Sequence, residues 1–63
     1  MALTASELAV LRCMAAGHSH AQIAGELTVS LKSVRTHAKH LYSKLDVHSR
    51  TQAAARAREL GLL

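Results

Sequence analysis

Sixty-three residues make one small domain at most, and a chain this short buries only about 60% of the surface its unfolded form exposes. An enzyme pocket of several hundred Å³ would consume most of such a core, which argues against catalysis. Phe, Trp and Pro are absent and the net charge is +4 with neutral histidines, so the core is aliphatic, the intrinsic preference is helical, and the charge fits either a polyanion partner or an ordinary solvated surface.

The first helix is marked by Thr4-Ala-Ser-Glu7, a capping box in which the Thr4 hydroxyl accepts from the Glu7 amide while Glu7 reaches back. Leu3 can staple onto Leu8. Leu8, Leu11, Met14 and Ala15 recur at helical spacing and Gly17 supplies a left-handed stop, which predicts a helix over about 5–16. Ser19-His-Ala-Gln22 repeats the box. Ile23, Ala24 and Leu27 give a short second helix, about 20–27, its buried side. Gly25 inside it costs about 1 kcal/mol against Ala, a sign either of close packing or of drift at an exposed position.

Thr28-Val29-Ser30 makes a turn in which Val29 can plug inward and Ser30 caps a third helix over about 31–45. At roughly 100° per residue, Leu31, Val34, Ala38, Leu41 and Leu45 fall on one side of that helix. Lys32, Thr36, Lys39 and Ser43 form a ridge on the other. Asp46 is a tolerable left-handed terminator and Val47 packs back. Ser49-Arg-Thr-Gln52 reads as a third box, starting a fourth helix that runs to about Glu59 and ends at Gly61. Leu60, Leu62 and Leu63 are expected to close the core. The predicted fold is therefore all-α, a four-helix bundle in one domain spanning 1–63.

Charge is distributed unevenly. Of the eight Lys and Arg residues, all but Arg12 lie from Lys32 to Arg58, with Asp46 inside that span and Glu59 just after it. Two helices joined by a turn of three or four residues, the second basic on its exposed face, match a helix-turn-helix. Ile23, Ala24 and Leu27 would brace Val34 and Leu41 from behind, leaving the first turns of the recognition helix for base edges in the major groove. The competing reading is a small helical protein-interaction module whose basic face meets an acidic partner. Metal chemistry has little support: His37 and His40 stand three apart, but the lone Cys13 is on another helix and paired ligand spacings are missing. Neither metal nor cofactor is expected, and the four acids are scattered. The single cysteine suits a reducing cytoplasm. No leader opens the sequence and no apolar run approaches the roughly 18 residues of a membrane span.

Leu3-Thr4 with Glu7, Val10-Leu11, Gly17, Ile23-Ala24, Leu27, Val29-Ser30, Val34-Arg35, His37, Tyr42, Lys44-Leu45, Val47 and Ser49-Arg50 together resemble the LuxR-type (GerE-like) DNA-binding domain. The resemblance runs from Leu3 to Leu63, and its specificity comes from many fixed spacings at once. Three positions depart from the family pattern: Ser6 stands where Arg is usual, Ser33 where Thr is usual, and Gln52 where Glu is usual. The ending Arg56-Ala-Arg-Glu-Leu-Gly-Leu resembles the C-terminus of multidomain regulators, which implies an output domain of a longer bacterial transcription regulator; a stand-alone regulator beginning at Met1 is the alternative.

By resemblance, base reading falls on Arg35, Thr36 and Lys39, and the chemistry agrees. Arg or Lys can donate to guanine O6 and N7, and a Thr methyl can meet a thymine methyl. For Arg35, nearer the apolar side, a phosphate contact or a salt bridge remains the alternative. Lys32, Ser33, His40 and Lys44 flank the ridge and suit phosphates, with plain solvation the alternative for Lys44. His20 and Gln22 are weaker phosphate candidates at a helix start. Arg50 is expected to tie the fourth helix to the core, with a backbone phosphate contact as the alternative, and His37 to be a packed core histidine. The fourth helix is rich in Ala, and the resemblance implies that the face bearing Ala54, Ala55 and Arg58 makes a two-fold dimer contact. The partners implied are double-stranded DNA, a second copy bound weakly and strengthened on DNA, and RNA polymerase as a candidate contact.

Overall fold

The computed structural model describes residues 2–63; Met1, where the expected domain begins, lies outside the described residues. Four helices follow in order: α1 Ala5–Ala15, α2 His20–Leu27, α3 Leu31–Leu45 and α4 Arg50–Glu59. Their starts are local events. Thr4 Oγ1 accepts from the Glu7 amide at 3.1 Å while Glu7 Oε1 accepts from the Thr4 amide at 2.9 Å. Ser19 and Gln22 repeat this at 3.1 and 2.7 Å. Each pair satisfies two amides that a helix start leaves without partners.

The third expected box is only half made. Ser49 Oγ accepts from the Gln52 amide at 3.2 Å, but Gln52 Oε1 takes the amide of His48, at 2.7 Å. The cause is the cap backbone. Ser49 has φ −148°, against −71° at Thr4 and Ser19, and that rotation about N–Cα turns its own amide away from the Gln52 side chain.

All four helices stop in the same way. In each, an amide beyond the end reaches back five residues: His18 to the Cys13 carbonyl, Val29 to Ala24, Val47 to Tyr42 and Leu62 to Ala57. This Schellman closure requires a left-handed residue. Gly17 (φ +92°) and Gly61 (φ +71°) supply it without strain, whereas Thr28 (φ +56°) and Asp46 (φ +55°) carry side chains there.

Helices α1 and α3 pack together at the centre; α2 and α4 each lie against both and do not meet one another. The core is Val10, Leu11 and Met14 of α1, Ile23 of α2, Val34, Ala38, Leu41 and Leu45 of α3, and Ala53 and Ala57 of α4. Since α4 offers only methyl groups, its backbone can approach the α1/α3 pair closely. Leu3, Leu8, Ala24, Leu27, Tyr42, Val47 and Leu62 are half-buried against this cluster.

Several expectations are corrected here. The α1 stripe is centred on Val10 rather than Leu8, because the buried positions are 7, 10, 11 and 14. Leu60 and Leu63 are exposed, and only Leu62 of the C-terminal leucines packs inward, since the left-handed Gly61 turns the chain and presents one side of it to the core. Val29 does not plug inward and Leu31 does not join the core; they are 41% and 37% exposed. The neighbouring core positions in sequence, Ile23 and Val34, are both at 0% exposure.

Candidate nucleic-acid interface

The α3 helix divides as its sequence period requires. Val34, Ala38, Leu41 and Leu45 are buried, while Lys32, Thr36, Lys39 and Ser43 are all exposed. Arg35 and His40 are exposed beside the ridge, and Ser33 and His37 are half-buried. No carboxylate stands on α3, and Asp46 follows only after its last residue. The result is a cationic edge held rigidly by a buried one.

Local hydrogen bonds set what this edge can offer. Ser30 Oγ accepts from the Ser33 amide at 3.1 Å and lies 3.0 Å from Ser33 Oγ, so the two hydroxyls share one hydrogen bond. Thr36 Oγ1 donates to the Lys32 carbonyl at 3.0 Å, one turn back. With its proton committed, Thr36 presents a methyl group and acceptor lone pairs outward. Lys32, Ser33, Thr36 and His37 together line an open notch of about 190 Å³. His37 thus belongs to the wall of this notch and not to the core. A second open cleft, of about 400 Å³, runs past Lys39, Tyr42, Ser43 and the Asp46–His48 turn.

Lys44 is placed differently from the other basic residues of α3. Its Nζ lies 2.6 Å from Glu7 Oε1 and 3.1 Å from the Ala2 carbonyl. Glu7 is buried. Hydrogen bonding from the Lys44 ammonium, and then from the Thr4 amide, holds its carboxyl below the usual carboxylate range against the opposing effect of desolvation. Sequence reading found Glu7 only as a capping residue. Its second role depends on a residue 37 positions away and left no local signal.

Arg50 acts as the tie expected of it, its guanidinium donating to the carbonyl of His18 where α1 gives way to α2. On α4, Ala53 and Ala57 face the core, Ala54 is half-buried, and Ala55 and Arg58 are exposed. Arg56 pairs loosely with Glu59, at 3.4 Å. No group of three or more His, Cys, Asp or Glu side chains that could hold a metal ion occurs among the described residues. Among the described residues, no helix is long and apolar enough to cross a membrane.

Residues 1–57 match the family model described as bacterial regulatory proteins, luxR family. The chain is 46% identical over 55 residues to the transcriptional regulatory protein LiaR of Bacillus subtilis (strain 168), a match covering 87% of the chain and 26% of that protein. It is 43% identical over 58 residues to the HTH-type transcriptional regulator MalT of Serratia proteamaculans (strain 568), covering 92% of the chain and 6% of that protein. Among solved structures, the response regulator ChrA of a heme-sensing two-component system superposes with a TM-score of 0.95 at 41% identity, over the whole chain and 31% of ChrA. The chain therefore spans about a quarter or less of the curated relatives it matches. The family is one of transcription regulators and not of enzymes. With its four helices, its exposed basic edge on the second helix of the turn and this match over nearly its full length, the chain belongs to the LuxR family of helix-turn-helix regulatory domains.

Proposed function

We propose that this domain binds double-stranded DNA with sequence preference, as the output part of a bacterial transcription regulator, by laying α3 in the major groove. The observation that carries this reading is the carboxylate-free ridge of Lys32, Thr36, Lys39 and Ser43, exposed opposite the fully buried stripe of the same helix. A groove about 12 Å wide admits such a helix. Arg35 and Lys39 then read guanine through their donors, and the outward methyl of Thr36 meets thymine. Lys32, Ser33 and His40 hold phosphates, Ser33 through its hydroxyl. Lys44 contributes less to phosphate binding than its charge alone suggests, because Glu7 already neutralises it.

Binding as a two-fold pair through the outer face of α4 (Ala54, Ala55 and Arg58) would set two recognition helices one DNA turn apart. At this domain size that contact is weak in isolation and completed on DNA. On this reading the domain acts in the bacterial cytoplasm, on the nucleoid when bound, with RNA polymerase as a candidate contact. A binding selection from random duplexes, followed by titration across salt, tests the reading. A preferred two-fold site and a steep fall of affinity with salt are expected. A shallow slope without sequence preference would instead favour an acidic protein partner.

A further inference from the structure

We propose that Leu31 is a specificity-determining residue that selects thymine at one position of the site by packing on its 5-methyl group. The proposal rests on the duplex-binding reading above and extends it to a residue that carries no charge. Val29 and Leu31, 41% and 37% exposed, bracket the cap Ser30, while the other exposed large apolar side chains among the described residues, Leu60 and Leu63, lie at the far end of the chain. Covering the exposed part of Leu31 with an apolar group is favourable. The residues around it indicate what does so. Lys32 follows directly and Arg35 stands one turn on along the same flank, both exposed, with no acid on the helix. An apolar side chain set among cations at the leading turn of this helix is matched to a surface that is anionic overall and locally apolar. In the major groove that local feature is the thymine methyl, which the other bases lack. Leu31 and Arg35, four residues apart, cover neighbouring positions on the helix surface, so the thymine lies beside the base that Arg35 reads.

The test uses the chain and the duplex it selects from a random pool. Each thymine of that duplex is replaced in turn by deoxyuridine, which removes only the methyl group. At one position next to the Arg35 base, this substitution is expected to weaken the unaltered chain about threefold to fivefold and to leave Leu31→Ala unaffected. Leu31→Met, which keeps an apolar side chain, retains the response. Thr36→Ser, which deletes that residue's own methyl, loses the response at a different position. Since Leu31 is exposed and outside the core, Leu31→Ala keeps its thermal midpoint, which is measured alongside. If Leu31→Ala responds to every methyl deletion as the unaltered chain does, the proposal is overturned while duplex binding stands. If no duplex is selected at all, the duplex reading fails and the proposal with it.

Discussion

Lys44 and Glu7 meet at 2.6 Å across 37 residues of sequence, joining the last turn of α3 to the first turn of α1. The same Glu7 oxygen accepts the Thr4 amide, so one carboxylate caps α1 and anchors α3 at once.

That double use gives stability a defined pH dependence. The Glu7 carboxyl is held below its ordinary value of 4.5 in the folded state, chiefly by the Lys44 ammonium. A group with a depressed folded-state pKa stabilises fully above its unfolded value, and that contribution disappears as pH falls through the folded one. Stability is therefore expected to hold from neutrality down to about pH 4.5–5 and then to drop. Glu7→Gln should lower the urea midpoint at pH 7 and flatten the acid limb, so that the two proteins converge in acid. Lys44→Met should share the loss, with the double variant little worse than either single one. Parallel curves for Glu7→Gln and the unaltered chain from pH 7 to 3 would contradict the coupling.

Much of this was legible in the sequence because the signals are local. A hydroxyl three residues before Glu or Gln, or a glycine after a periodic run, acts within one turn of backbone, and the helix boundaries follow from it. The cationic ridge is legible for the same reason, since a period of 3.6 residues places Lys32, Thr36 and Lys39 together whatever else the chain does. The Glu7–Lys44 pair, the burial of Val10 and the exposure of Val29 and Leu31 depend on which helices pack together, and local pattern does not encode that. The half-made box at Ser49 failed for a subtler reason: the residue types suit it, but the cap's φ does not.

Gly25 is exposed, lies within α2, and a Cβ built on it meets nothing within 4 Å. Of its two expected explanations, close packing is thereby removed. Gly25→Ala should stabilise the domain by about 0.5–1 kcal/mol through backbone entropy, a rise of several degrees in Tm for a domain of this size. DNA affinity should not change. A fall in Tm would mean that the site is tighter than its geometry shows.

Thr28 closes α2 with φ +56° and leads directly into the turn of the helix-turn-helix. A left-handed conformation costs an L-residue about 1–2 kcal/mol, and a β-branched one is especially ill suited to it. Glycine relieves that strain but loses about 0.5–1 kcal/mol to its freer unfolded state. Thr28→Gly should thus stabilise by up to about 1.5 kcal/mol, the balance of those two effects. Gly17→Ala, placing a side chain at φ +92°, should destabilise by a similar amount. Urea midpoints of the two variants, read against the unaltered chain, should move in opposite directions; movement together would sink the argument.

Lys39 and Lys32 stand on one exposed ridge yet should respond differently to truncation. On the preferred duplex, Lys39→Ala is expected to lose about 1–3 kcal/mol and to relax selectivity at one base pair. Lys32 sits in the first turn of α3, beside the half-buried Ser33 in the 190 Å³ notch, where a phosphate can meet the Ser33 hydroxyl as well. Lys32→Ala should weaken specific and random duplexes about equally and reduce the salt slope by roughly one. Fluorescence anisotropy on both duplexes at several salt concentrations separates the two roles. Equal losses for Lys39→Ala on selected and random DNA would make Lys39 a second phosphate ligand and leave base reading to Arg35 and Thr36.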